Sequence, residues 1–130
     1  MGEPIPGLSA EFRHTVSEID TASHWGSGGL PVFSTPALVG LMESTAVIAL
    51  RGHLPPGQTT VGGHIDVHHL APTPVGMLVH ARAELIAIDG KKLTFKVQAW
   101  DDNELIGEAD HDRFVIDEAK FMAKVAAKRH

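Results

Sequence analysis

The feature that most limits how this chain can fold is one long apolar segment between two helix-boundary signals. It runs from Ala37 to Leu50 and contains few polar side chains. Thr35 and Pro36 before it are typical of a helix start, with Thr35 as the predicted N-cap, and Gly52 after it favours a helix end. A helix that is apolar nearly all round is normally buried. The segment therefore predicts a central helix that the rest of the chain covers.

One carboxylate lies within this predicted helix. At about 100° per residue, Glu43 projects on the same side as Val39, Ala46, Val47 and Leu50. A carboxylate set into an apolar stripe is either held by a structural partner or used in chemistry, because an unpaired buried charge is costly. Position alone leaves both alternatives open.

A second polar group lies on a predicted strand after the helix. Residues 64–70 alternate as a strand does, with one apolar and one polar face. The apolar set is Ile65, Val67 and His69, and the polar set is His64, Asp66 and His68. The polar set has a spacing that suits a metal, but so short an alternation is more typical of an exposed face, and no metal site is predicted. His69 is expected to face the helix.

Other segments complete a predicted sheet. Alternation indicates strands over residues 9–19, 77–85, 93–99 and 105–116, with a Gly-rich loop over 22–31 and a terminal helix capped by Asp117. The order of one long helix followed by strands joined by tight turns predicts an α+β fold, an antiparallel sheet wrapped around one buried helix. One helix cannot cover a five-stranded sheet alone, so we expect a homodimer, formed edge to edge or face to face, and a higher oligomer is left open.

Composition narrows the class of protein. A chain of 130 residues with 43% apolar residues is long enough for one compact domain, predicted over 1–130. The absence of cysteine excludes a thiol nucleophile and Cys-ligated zinc. A net charge of −5 argues against a nucleic-acid surface. With neither a membrane-length apolar run nor a signal-peptide pattern, the prediction is a cytoplasmic protein that does not bind membranes.

Several short motifs in collinear order resemble the hotdog-fold acyl-CoA thioesterases. His69-Leu70-Ala71-Pro72-Thr73-Pro74-Val75-Gly76 is similar to the strand and turn after the central helix in that superfamily. Further motifs resemble the fluoroacetyl-CoA thioesterase family, namely Phe33-Ser34-Thr35 with Val39-Gly40-Leu41-Met42-Glu43, Ile106-Gly107-Glu108-Ala109-Asp110-His111-Asp112-Arg113, and Lys120-Phe121-Met122-Ala123-Lys124-Val125. The similarity covers roughly residues 9–128.

The resemblance implies a hotdog fold, a small acyl-CoA substrate and a set of site residues. It implies that Thr35, Glu43 and His69 are catalytic and that Gly62 contacts the coenzyme, with coenzyme A present only as part of the substrate and no separate cofactor. One departure is clear, because Gly28-Gly29-Leu30-Pro31 replaces the phenylalanines that gate the acyl pocket in the fluoroacetyl enzyme.

Residue chemistry leaves some alternatives beside this prediction. Thr35 alone is more typical of a helix cap than of a catalytic group. Arg113 shares a strand face with His111 and either meets a coenzyme phosphate or forms an ordinary salt bridge. The free N–H groups at the helix start are predicted to bind a developing oxyanion. The attacking oxygen is left open among Thr35, Glu43 and water.

The function predicted is hydrolysis of a small acyl-CoA thioester to the free acid and CoA. The alternatives are a hotdog enoyl- or hydroxyacyl-CoA hydratase and a non-catalytic acyl-CoA binding module. Eight residues of helix place Thr35 and Glu43 about 12 Å apart along its axis, so one chain cannot bring both to one carbon. We therefore expect an active site shared by two subunits.

Overall fold

The computed structural model describes residues 2–129 as an antiparallel sheet, a long helix on one of its faces and two shorter helices. A single turn of 3₁₀-helix covers Glu18–Asp20. The strands are β1 (Ser9–Thr15), β2 (Gln58–His69), β3 (Leu78–Asp89), β4 (Lys92–Trp100) and β5 (Leu105–Asp117). The helices are α1 (Ala22–Trp25), α2 (Thr35–Leu50) and α3 (Glu118–Ala127).

The five strands lie in the order β1-β3-β4-β5-β2, and every neighbouring pair is antiparallel. Helix α2 contacts all five strands. The predicted α+β class is confirmed. Strand β2, which carries Gly62 and His69, is an edge strand, and a register shift interrupts its pairing with β5 between Gly62 and His64.

The core lies between α2 and the central strands. Strand β4, and β3 as far as Leu85, alternate between a buried and a more exposed face. The inward side chains are Val79, Ala81, Ala83, Leu85, Leu93, Phe95, Val97 and Ala99, all buried. The inward side of α2 supplies Leu38, Leu41, Met42, Ala46, Ala49 and Leu50. Small side chains on β3 let the helix approach the sheet closely, since dense packing leaves no room for voids.

The start of α2 corrects one prediction. Ser34, not Thr35, is the N-cap, and its side chain accepts a hydrogen bond from the N–H of Ala37. Thr35 is the first helical residue, followed by Pro36. The serine takes the cap because its backbone is extended, as the N-cap position requires, whereas Thr35 already has helical geometry. The predicted helix end is confirmed, with Gly52 at a φ of 77° just past Leu50.

The predicted burial of α2 on all sides is wrong for the single chain. Gly40, Ser44 and Val47 form an exposed side, and Val47 is 39% exposed. The sheet covers only one side of the helix, which explains the difference. Glu43 consequently lies at the boundary between the buried and exposed sides rather than inside the core.

Two predictions on the N-terminal segment also change. The first strand, predicted over 9–19, ends at Thr15, because the Asp20 carboxylate accepts hydrogen bonds from the N–H (2.8 Å) and hydroxyl (3.0 Å) of Ser17 and so closes a turn. The loop predicted over 22–31 begins with α1, capped by Thr21 and ended by Gly26. The terminal helix capped by Asp117 is confirmed.

Candidate active site

The start of α2 and the end of β2 bring together Thr35 and His69. The Thr35 hydroxyl lies 2.7 Å from Nδ1 of His69. Because Ser34 already caps the helix, the Thr35 hydroxyl is free to make this bond. His69 lies on the half-buried face of β2 with Ile65 and Val67, so the predicted alternation of this strand is confirmed.

The electrostatics of His69 favour a neutral imidazole. Burial lowers the pKa of His69 below its ordinary value of 6.5, and the nearby backbone of Ala71 acts in the opposite direction. A neutral imidazole whose Nδ1 accepts from the Thr35 hydroxyl carries its proton on Nε2. Within residues 2–129, this buried Nε2 has no hydrogen-bond partner. Such a pair can withdraw a proton from the threonine, or from a water held beside it.

Glu43 lies in a separate group, paired with Arg113. Nη1 of Arg113 donates to Oε2 of Glu43 at 3.3 Å. The two side chains differ in exposure, since Glu43 is 41% exposed and Arg113 only 8%. Burial lowers the pKa of Arg113, which the Glu43 carboxylate opposes, and the guanidinium stays charged. Of the two alternatives left open for Glu43, the structure contains the ion pair.

Arg113 is held from three directions. Its Nε donates to the Thr60 hydroxyl at 2.9 Å and Nη2 donates to the Thr60 carbonyl at 3.2 Å, while Nη1 also donates to Nε2 of His111 at 3.2 Å. His111 and Arg113 share the inward face of β5, as the alternation predicted. Neither Thr60 nor the Arg113–Glu43 pairing was predicted, because nothing in the sequence shows that β5 lies beside β2 or that α2 contacts it.

Gly62 lies beside Glu43. A Cβ atom built on Gly62 would lie 2.6 Å from Oε2 of Glu43, so a larger residue would displace the carboxylate. An open groove of about 730 Å³ continues from there along the exposed side of α2. Its lining residues are Glu11, Phe12, Gly40, Glu43, Ser44, Val47, Ile48, Arg51 and Arg113. The groove gives a substrate access to the carboxylate.

The helix start provides fewer free amides than predicted. Pro36 has no N–H, and the N–H groups of Ala37 and Leu38 bond to the side chain and carbonyl of Ser34. Among the described residues, Thr35 is the only residue in the first turn of α2 whose N–H remains unpaired. An oxyanion at this point would meet that single amide and the positive end of the helix dipole.

The remaining polar strand face has no metal-site geometry. His64 lies 3.7 Å from Asp112, and His68 lies 3.7 Å from Asp66. Over residues 2–129, no three His, Asp or Glu side chains converge on one point in a way that would hold a metal ion. None of the described helices is long and apolar enough to span a membrane.

The family model for fluoroacetyl-CoA-specific thioesterases (FlK) matches residues 16–119. The chain belongs to this family. A fluoroacetyl-CoA thioesterase from Streptantibioticus cattleyicolor is 43% identical over 97 residues, which cover 75% of this chain and 70% of that relative. The resemblance inferred from the motifs is confirmed.

Solved structures of FlK and of a hotdog protein have the same fold. A phenylalanine-to-alanine variant of FlK in complex with fluoroacetate and CoA is 34% identical, with a TM-score of 0.86 over 91% of this chain and 99% of that chain. A hot-dog-like protein from Thermanaerovibrio acidaminovorans is 25% identical, with a TM-score of 0.89 over 96% of this chain and 93% of that chain. The predicted hotdog fold is confirmed.

Proposed function

We propose that this member of the fluoroacetyl-CoA-specific thioesterase family hydrolyses a small acyl-CoA thioester to the free acid and CoA, with Thr35, His69 and Glu43 as catalytic residues. The hydrogen bond of 2.7 Å between Thr35 and His69, at the positive end of α2, carries the proposal. Family membership supports the thioesterase class over a hydratase or a non-catalytic binding module.

The chemistry needs an attacking oxygen, a base for its proton and an acid for the leaving thiolate. His69 accepts the proton of the attacking oxygen, which belongs either to Thr35 or to a water beside it. The new carbon–oxygen bond forms as the carbonyl oxygen takes up negative charge near the N–H of Thr35. The carbon–sulfur bond then breaks, and His69 returns the proton to the CoA sulfur. If water attacks, this step gives the free acid directly; if Thr35 attacks, a water deprotonated by His69 then hydrolyses the acyl-threonine ester, which releases the acid and restores the hydroxyl. No further cofactor takes part in this scheme.

The unpaired Nε2 of His69 supports an active site built from two subunits. A hydrogen on Nε2 needs an acceptor, and Glu43 of the same chain lies about 12 Å from Thr35 along the axis of α2. We therefore propose that His69 donates to Glu43 of the partner subunit. Within the described chain only Oε2 of Glu43 has a partner, Arg113, which leaves Oε1 to accept this bond.

A homodimer is consistent with two surfaces of the single chain. Strand β2 is an edge of the sheet with unpaired backbone groups, and α2 has a partly apolar exposed side. A partner on these surfaces would bring its own Glu43 to His69 of the first subunit. Gly62 lies at this edge beside Glu43, and we propose it as the point where the backbone meets the coenzyme.

We propose that the acyl group is small, and we do not assign fluoroacetyl-CoA as the substrate. Gly28, Gly29, Leu30 and Pro31 precede α2, and Leu30 is 67% exposed. None of these four side chains is aromatic, so this segment does not supply the gating phenylalanines of the fluoroacetyl enzyme.

A thiol-release assay over short acyl-CoAs, fluoroacetyl-CoA included, tests the function. We expect Glu43→Ala and His69→Ala to lower turnover by at least about a hundredfold, because each removes a group of the proton-transfer chain. Matched controls are Glu104→Ala, on an exposed turn, and His68→Ala, on the other face of the same strand. Absence of thiol release from every acyl-CoA tested would contradict the thioesterase proposal. Near-normal turnover by a folded Glu43→Ala or His69→Ala would remove that residue from the mechanism.

A further inference from the structure

A second buried imidazole lies near the proposed site without a part in the reaction. His111, in the middle of β5, is 1% exposed. Histidine is rarely buried this completely unless both ring nitrogens have partners, because an unpaired polar group in the core is costly. The partners of His111 therefore indicate its role.

The two ring nitrogens of His111 have different partners. Nδ1 lies 2.7 Å from the backbone carbonyl of His64, which can only accept, so Nδ1 carries the hydrogen. In the neutral ring Nε2 is then a bare acceptor, and Nη1 of Arg113 donates to it at 3.2 Å. The backbone of β2 thus selects the tautomer that can accept from the arginine.

The same arginine nitrogen also donates a hydrogen bond to Glu43. Nη1 of Arg113 has two hydrogens, one directed to His111 and one to Oε2 of Glu43. Thr60 holds the other side of the guanidinium through Nε and Nη2. Because the guanidinium is planar, bonds on both sides determine its rotation and so the point at which Glu43 is held.

The surroundings of His111 keep it uncharged. Burial lowers the pKa of His111 below 6.5 and the positive charge of Arg113 lowers it further, against the opposing effects of the His64 carbonyl, Glu43 and Asp112. These groups lie on three elements that surround the ring: Arg113 and Asp112 on β5, the His64 carbonyl on β2, and Glu43 on α2. A protonated ring would lose its acceptor nitrogen and repel the guanidinium.

We propose that His111 is a positioning residue for the reaction: as a neutral Nδ1–H imidazole it accepts from Arg113 and directs that arginine's other Nη1 hydrogen to Glu43. The proposal rests on the catalytic role proposed above for Glu43. Loss of His111 would leave Arg113 held by Thr60 alone on one side and free to rotate away from the carboxylate.

Kinetics of two variants test this role. His111→Leu removes the acceptor and should lower kcat by about tenfold or more while KM changes by less than about threefold, since misplacing a catalytic group affects mainly the chemical step. His111→Gln keeps a side-chain oxygen that can accept a hydrogen bond from Arg113. Its decrease in log kcat should therefore be at most half of the decrease caused by His111→Leu. Equal losses in both variants, with melting temperatures near that of the parent, would overturn the proposal.

A double-mutant cycle separates positioning from general packing. In an Arg113→Met background, His111→Leu should change the remaining kcat by less than about twofold, because residues that act through one another are not additive. If His111→Leu causes the same fractional loss with and without Arg113, His111 does not act through the arginine and the proposal is wrong. That result leaves the role of Glu43 standing, whereas normal turnover by Glu43→Ala would instead contradict the proposed function itself.

A spectroscopic measurement is independent of activity. Two-bond ¹H–¹⁵N correlation spectra of the parent protein at pH 7 should show His111 as the neutral Nδ1–H tautomer. An imidazolium, or the Nε2–H tautomer, would overturn the proposal whatever the kinetics. The assignment comes from the signal that disappears in His111→Gln.

Discussion

At the scale of single residues, two neighbouring hydroxyls divide two roles. Ser34 caps α2 through its bond with the N–H of Ala37, and Thr35 turns its hydroxyl to His69. A sequence with both residues before Pro36 does not show which one is the cap, because each is a good N-cap. The structure gives the cap to Ser34 and the contact with His69 to Thr35, so we expect stability and activity to depend on different side chains.

This division predicts opposite effects for neighbouring substitutions. Ser34→Ala should destabilise the protein by about 1 kcal/mol, the usual cost of a lost N-cap. Thr35→Ala should leave the melting temperature nearly unchanged and abolish thiol release, and Thr35→Ser should retain more activity than Thr35→Ala. Thermal denaturation and the thiol assay measure the two effects. A large drop in melting temperature for Thr35→Ala, or equal activity of the two Thr35 variants, would contradict a catalytic role for Thr35 and indicate a structural one.

At the scale of elements, the contact between α2 and β5 places the proposed site. Glu43 of the helix meets Arg113 of the strand, and the same helix packs over Gly107 of that strand. A Cβ on Gly107 would lie 2.8 Å from Cδ2 of Leu38 and 3.2 Å from Cε of Met42. Both side chains are fully buried, so they have little room to move aside.

Gly107→Ala should therefore destabilise the fold by about 1–3 kcal/mol, as overpacking of a dense core does. Chemical denaturation gives the free energy of unfolding. Gly29→Ala is the matched control, because a Cβ there has no neighbour within 4 Å and the change should stay within about 0.5 kcal/mol. If the two variants have equal stability, the helix and strand are not as closely packed as described.

At the scale of the whole molecule, the proposed site requires two chains. Thr35 and His69 come from one subunit and Glu43 from the other, so a dimer contains two sites of mixed origin. The edge strand β2 and the exposed side of α2 are the surfaces on which such a dimer would form. The homodimer and the single domain over 1–130 remain predictions.

Mixing of inactive variants tests the shared site. Thr35→Ala and Glu43→Ala subunits, exchanged at equal amounts, should form heterodimers with one intact site and return about a quarter of the parent activity at random pairing. Thr35→Ala mixed with His69→Ala should return none, because every site then carries one defect. Mass spectrometry verifies the exchange. Recovery in neither mixture despite exchange, or in both, contradicts the proposed assignment of residues to subunits.

The sequence alone was sufficient for the properties that depend on local periodicity. The apolar run of α2, the alternation of β2 to β5 and the cap at Asp117 predicted the elements and the α+β class, because the period of apolar residues directly reflects which side of an element is buried. The motifs that resemble the thioesterases also predicted the family. The same motifs predict Thr35, Glu43 and His69 as site residues.

Only the tertiary structure decided which of these groups meet. Thr35 and His69 are 34 residues apart and Glu43 and Arg113 are 70 apart, yet both pairs are in contact. Such contacts depend on the order of the strands and on which of them α2 packs against, and no local pattern encodes either. For the same reason the anchoring of Arg113 by Thr60 could not be predicted. Alternation placed His111 on the same face of β5 as Arg113 but did not show the hydrogen bond between them. Burial on one side of α2 alone likewise follows from the extent of the sheet, which apolarity along the helix does not determine.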